Sequence, residues 1–163
     1  MLFVLVSTLT LTGIGIHLFV RRRELSRLLV VETVLLYLLV IQVGFSGITA
    51  FIGHVFFGDT IAAKIGWPPG SPFQFEVGIS DGAWGVLGVL CIWCRDRFWL
   101  ATGLGWSLFL LGAGWGHLRD VMQQGNLAPY NAGMILPNFL TPLLILVFLY
   151  LYWSLNRRAS RDN

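Results

Sequence analysis

Two stretches set ionisable side chains into an otherwise apolar chain: residues 53–59 read GHVFFGD and residues 112–120 contain GAGWGHLRD. A neutral imidazole offers one N–H donor and one lone pair, so a histidine beside an aspartate can orient a ligand, move a proton or help hold a metal. His54, Asp59, Glu76, His117, Arg119 and Asp120 all fall near the same ends of their hydrophobic stretches. Depth therefore makes two imidazoles and several carboxyls available to one polar mouth, with Gln74, Asn126 and Asn131 as further hydrogen-bonding contacts. Histidine with carboxylate suits zinc or non-haem iron. However, no pair here has the i, i+4 spacing of a two-ligand helix, so no metal ligand is assigned. Helix-end hydrogen bonding without any ligand explains the same residues, and for Glu76 capping of a helix start suffices.

Asp81 lies inside a hydrophobic stretch, about 9 to 12 Å below the mouth at 1.5 Å per residue. An acid there costs about 2.5 to 3.5 kcal/mol on insertion scales. It is read either as a proton-carrying or ligand-orienting carboxyl, or as a hydrogen-bonded pin between helices. No nucleophile set accompanies these groups: Ser46, Ser71 and Ser80 have no flanking signature. No catalytic residue is therefore assigned. Cys91 and Cys94 form a C-x-x-C, but at the C-terminal end of a span, where the helix dipole disfavours thiolate. They are expected to be two packed apolar thiols.

The elements that must position these residues are membrane spans. Of 163 residues, 56% are hydrophobic and 12% charged, with mean hydropathy +0.74, far from the roughly 25% charge of soluble domains. Five stretches approach the about 20 residues that cross a bilayer: 2–20, 28–57, 75–93, 99–118 and 136–155. The expected fold is all-α, one membrane domain over 1–163, with a four-helix bundle from the last four spans and the first packed outside. The first stretch, with no basic region before it or small-residue cleavage site after it, reads as a retained anchor. Arg21, Arg22, Arg23, Arg27, Arg95, Arg97, Arg157, Arg158 and Arg161 fall on one side when there are five spans, and only Lys64 and Arg119 on the other. By the positive-inside rule the N-terminus lies outside and the C-terminus in the cytoplasm, with the plasma (inner) membrane as the location. The arginines after the first span set topology and also suit anionic headgroups.

Spans two and four each end at a Gly-His followed by an aspartate, a proline-containing loop and a returning span. Spans 2–3 and 4–5 are thus candidate parallel repeats. Both outer connections are read as long, structured loops, DTIAAKIGWPPGSPF and RDVMQQGNLAPYNAGMILP, with Pro137 in the first turn of the last helix. Gly78, Gly82, Gly85 and Gly88, and likewise Gly112 and Gly116, are expected to form close-packing faces, as are the glycines of each Gly-His. Glu32 is expected to pair with Arg27 and the arginine triplet. Tryptophans serve packing and interfacial belts.

The motifs Gly53-His54, Ile65-Gly66-Trp67-Pro68, Pro72-Phe73-Gln74 with Glu76-Val77-Gly78, Gly116-His117 and Asn131-Ala132-Gly133 resemble a family of small bacterial and archaeal multi-pass membrane proteins. That family is described only as a domain of unknown function. The resemblance covers roughly residues 54–144, and where the family carries an acid before the last span this chain has Asn138. The Glu-x-Gly start of a glycine-rich span is distantly similar to DoxX-type four-helix proteins, some associated with quinol oxidation. The resemblance implies no activity, but it singles out the same mouth.

The expectation is a non-enzymatic membrane protein binding a small molecule, lipid or quinone-like ligand through His54, Asp59, Gln74, Glu76, Asp81, His117, Asp120, Asn126 and Asn131, with transport as one use. An accessory subunit of a larger membrane complex is the alternative, and a membrane oxidoreductase with a bound quinone or metal the third. Partners are expected among membrane lipids, a larger complex or further copies of the chain, and not nucleic acid. Fusing reporters after the C-terminus tests the topology: a cytoplasmic reporter is expected to be active and a periplasmic one inactive.

Overall fold

The computed structural model describes residues 2–159, and every regular element among them is helical. Arg161 lies outside the described residues. Helix α1 (Leu2–Val20) leads through a short 3-10 turn, closed by Arg21 and Glu24 at 2.5 Å, into α2 (Arg27–Tyr37). Ser26 caps α2 by accepting from the Leu29 amide at 3.1 Å. The rod continues through a π segment (Leu38–Phe45) into α3 (Ser46–Phe56), then α4 (Gly58–Ile65), α5 (Phe73–Leu90), α6 (Arg97–Gln124) and α7 (Pro129–Ala159).

Four helices are long and apolar enough to cross a membrane: Phe3–Val20, Arg27–Phe56, Arg97–Gln124 and Pro129–Arg157. The third expected span is the exception. Its helix, α5, is 18 residues long, and Gln74, Glu76 and Asp81 dilute its hydropathy.

The two outer connections differ from expectation. Residues 58–65 of the first are helical rather than loop, because Asp59 opens and Gly66, at φ +84°, closes an eight-residue helix. The second shrinks to residues 125–128. Helix α6 continues past His117 to Gln124, ended by Gly125 at φ +65°, and α7 begins at Pro129. Pro129, not Pro137, occupies the first turn. Pro137 and Pro142 lie inside α7, where neighbouring helices tolerate the missing N–H.

Helix α5 packs antiparallel along α3 and the π segment. A Cβ on Gly88 would fall 2.6 Å from the Gly44 Cα and 2.8 Å from the Leu39 carbonyl oxygen; one on Gly47 would fall 2.7 Å from the Gly85 nitrogen. The expected glycine face on α5 is therefore real, and Gly44 and Gly47 complete it from the other rod. The expectation for Gly112 and Gly116 fails, since a Cβ at either meets nothing within 4 Å. Gly53, too, finds only ordinary contact with Ile61 at 3.5 Å. In α6 it is Gly103 and Gly114 that touch α7, at Leu149 and Asn138, and Gly105 that lies under Trp84 of α5.

The apolar core gathers Leu35, Leu39 and Val43 with Cys91, Trp99, Trp106, Ile145 and Leu149, toward the arginine-rich end. There Glu32 pairs with Arg95, not with Arg27 or the triplet, because α5 and α6 turn back beside α2. Cys91 is buried as expected. Cys94 is exposed, because the helix has already ended at Leu90. Helix α1 lies against α2 and the π segment, where buried Gln42 donates to Thr10 Oγ1 at 3.1 Å.

Gly88→Ala and Gly112→Ala add the same methyl to two helices with opposite surroundings. Gly88→Ala is expected to be the less stable by about 1–3 kcal/mol, read from denaturant unfolding in detergent micelles.

Candidate functional site

At the end away from the arginines, each Gly-His delivers its ring to the helix that returns. His54 Nδ1 lies 2.7 Å from Gln74 Oε1, at the second residue of α5. His117 Nδ1 lies 2.7 Å from Asn131 Oδ1, at the third residue of α7. The helical hairpins thus share one device, an imidazole on the outgoing helix bonded to a carboxamide in the first turn of the next.

Asn131, fully buried, donates from Nδ2 to the Asn126 carbonyl at 2.8 Å and to the His117 carbonyl at 3.5 Å. Its Oδ1 must then face the ring, so the His117 Nδ1–H donates and, in the neutral ring, Nε2 carries the lone pair. Asn126 joins three segments: its Nδ2 donates to the Ile65 carbonyl at 2.8 Å and to Asp120 Oδ2 at 2.7 Å, and its Oδ1 accepts from the Ala128 amide at 3.1 Å. Gly66 must be glycine twice over. Its φ is left-handed, and a Cβ would fall 2.6 Å from Asn126 Oδ1.

Trp67 belongs to this network, although its sequence context suggested only an interfacial belt. Its indole N–H donates to Asp120 Oδ2 at 3.3 Å, and its ring lies parallel to His117 (15°, centroids 6.3 Å) and edge-on to Phe73 at 5.7 Å. Through Phe73, the neighbour of Gln74, it links the two hairpins. The adjacent Gly66 was the available signal, because a forced left-handed turn fixes where the next side chain goes.

The partner of His54 differs from Asn131 in one respect. Gln74 is 4% exposed, yet its Nε2 has no hydrogen-bond partner among the described residues. A buried donor left unpaired costs about 1–3 kcal/mol. Turning the carboxamide over would only exchange which end is satisfied. The orientation forced on Asn131 is the one that the Gln74 pair repeats.

The remaining expected residues do not join these groups. Asp59 is exposed and accepts from the Gly70 amide at 2.7 Å, folding the connection after α4 back on its start. Glu76 is exposed and makes no hydrogen bond or ion pair among the described residues. Asp81 is 5% exposed, on the buried stripe of α5 with Gln74, Gly78, Gly85 and Gly88, and its carboxyl bonds to no described residue. The single mouth read from depth is therefore two adjoining sites: a satisfied network around His117 and Asn131, and an incomplete pair at His54 and Gln74. Among the described residues, no three His, Cys, Asp or Glu side chains gather where they could hold a metal ion.

Replacing Asn131 by leucine keeps the volume and strands the His117 Nδ1–H and the Asn126 carbonyl. The expected loss is about 2–4 kcal/mol, measured by thermal unfolding in micelles, whereas Glu76→Gln should leave the transition in place.

No curated protein and no solved structure matches the chain. A family model does, over residues 1–158, well beyond the stretch whose motifs carry the resemblance. The chain belongs to that family, the family of unknown function DUF6790.

Proposed function

We propose that this is a five-span membrane protein that binds a small molecule at its outer face, through a ligand oxygen seated on Gln74 and His54. The observation that carries the proposal is the buried, unpartnered Gln74 Nε2 beside an imidazole. A donor held in a protein interior calls for an acceptor, and a carbonyl, a carboxylate or a lipid or quinone oxygen supplies one. The His54 ring and the buried Asp81 carboxyl supply the further polar contacts, and the His117–Asn131–Asn126–Asp120 network holds the wall rigid. Asp59 and Glu76 take part at most as charges at the rim.

In this reading α5 also crosses the membrane, as the third of five spans. Its 18 residues reach roughly 27 Å at 1.5 Å per residue, and only an odd number of crossings collects the arginine clusters on one side. Spans two to five then form the bundle, with α1 outside it, and the site faces away from the cytoplasm of the inner membrane.

A second reading, an accessory subunit of a larger membrane complex, is favoured by one feature. Gly105, Gly112 and Gly116 share a stripe of α6. Trp84 covers the first, and the other two face open space. Small residues without a partner helix suit docking in lipid. An oxidoreductase reading would need a quinone or metal in the same place.

The decisive measurement is native mass spectrometry of the chain extracted gently from its own membrane, alongside Gln74→Leu. A reproducible small-molecule mass, at least about tenfold depleted in a folded Gln74→Leu protein, is expected from the loss of a bond worth about 1.5 kcal/mol. Stoichiometric partner polypeptides without such a mass would replace this reading with the subunit. A coloured preparation would revive the oxidoreductase.

A further inference from the structure

The opposite end of the molecule carries a second candidate site. Between the start of α2 and the end of α7 runs a groove of about 620 Å³, lined by Leu25, Ser26, Arg27, Val31, Tyr150 and Leu151, among others. That volume falls within the roughly 300–1,000 Å³ of ordinary ligand sites. Its floor is apolar and its mouth is not, a division that matches an amphiphile rather than a soluble metabolite.

Charge identifies the head. Among the described residues the acids of this end already have partners: Glu24 pairs with Arg21, Glu32 with Arg95, and Asp96 accepts from the Tyr152 hydroxyl at 2.8 Å. Arg27, exposed at the mouth, has no carboxylate partner among the described residues, nor do the neighbouring Arg22 and Arg23. Arg22 lies over the Phe19 ring at 4.5 Å, which keeps that cation at the level where α1 ends. The first turn of α2 adds the positive end of a helix dipole at the same place.

We propose that this groove seats one anionic phospholipid, its phosphate at Arg27 and the first turn of α2, and an acyl chain along Val31 and Leu151. Burial of the chain gives residence, and the uncompensated guanidinium gives headgroup selectivity. A zwitterionic lipid fills the same floor, but its quaternary amine meets the arginines. This site is separate from the histidine-bearing end in position and in ligand chemistry, so neither proposal depends on the other.

The test uses the full chain, delipidated in detergent and offered equal phosphatidylglycerol and phosphatidylcholine of matched acyl chains, with retained lipid read by native mass spectrometry. One phosphatidylglycerol per chain is expected in preference. Arg27→Gln should lower the retained ratio about fivefold, the worth of one arginine at an anionic surface, and Arg119→Gln at the far end should not change it. Leu151→Trp should fill the floor and abolish retention of both lipids. Equal retention of the two lipids by the native chain overturns the proposal, as does an unchanged ratio in Arg27→Gln. So does displacement of phosphatidylglycerol by millimolar inorganic phosphate, which would mark a free-anion site. Should Arg27→Gln fail to fold, Leu151→Trp decides alone, since undiminished retention there also overturns the proposal.

Discussion

The arrangement rests on backbone meeting backbone where α5 lies on the second rod. Gly44 faces Gly88 and Gly47 faces Gly85, with no side chain between them. In lipid, where burying apolar surface gives little advantage, such close approach supplies dispersion contact along the whole interface. It also fixes the register. With these glycines in contact, Gly78 is so close to α3 that a Cβ on it would fall 3.0 Å from that of His54, and Gln74, one turn earlier in α5, falls within reach of the imidazole. The same contact turns Asp81 inward. The polar groups at the end away from the arginine clusters are thus positioned by residues that have no side chain.

The molecule divides its work along its length. Toward the arginines, aliphatic and tryptophan side chains fill the interior, and the Trp99 indole is satisfied by the Cys91 carbonyl at 2.8 Å. Toward the other end, the interior is held by amides and imidazoles, whose directional bonds fix angles that apolar packing leaves free. Asn126 and Asn131 bind three chain segments through six hydrogen bonds to backbone or side chain. A wall built in this way keeps its shape when a neighbouring space is filled or emptied.

Much of this was legible in the sequence for particular reasons. The first stretch runs into the arginine triplet, and helix α1 likewise ends there, at Val20. The α5 glycines recur at helical spacing, so their shared face was readable, whereas Gly112 and Gly116 have the same spacing and no neighbour, which only the fold reveals. Helix ends were misjudged where polar residues continue a helix past the hydrocarbon. Arg119 to Gln124 read as loop because periodicity fades there, although Gly125 and Pro129 marked the true boundaries. Of the site, depth selected the right residue types but could not pair them. Nothing in the sequence separated an Asn131 with every bond made from a Gln74 with one bond missing.

The widened turns at Leu38–Phe45 bear on how the chain can change in length. A π segment holds more residues per turn than an α-helix, so one residue can be lost there by reverting to α geometry, with little rotation of what lies on either side. Val31 and Leu35 would keep their face toward α7, and Gly47 and His54 theirs toward α5. The same deletion within α5 has no slack to draw on and would turn Gln74 by roughly 100° relative to the glycines behind it. The second rod therefore carries a reserve that its partner helix lacks, and insertions or losses are better accommodated at its middle than at either end.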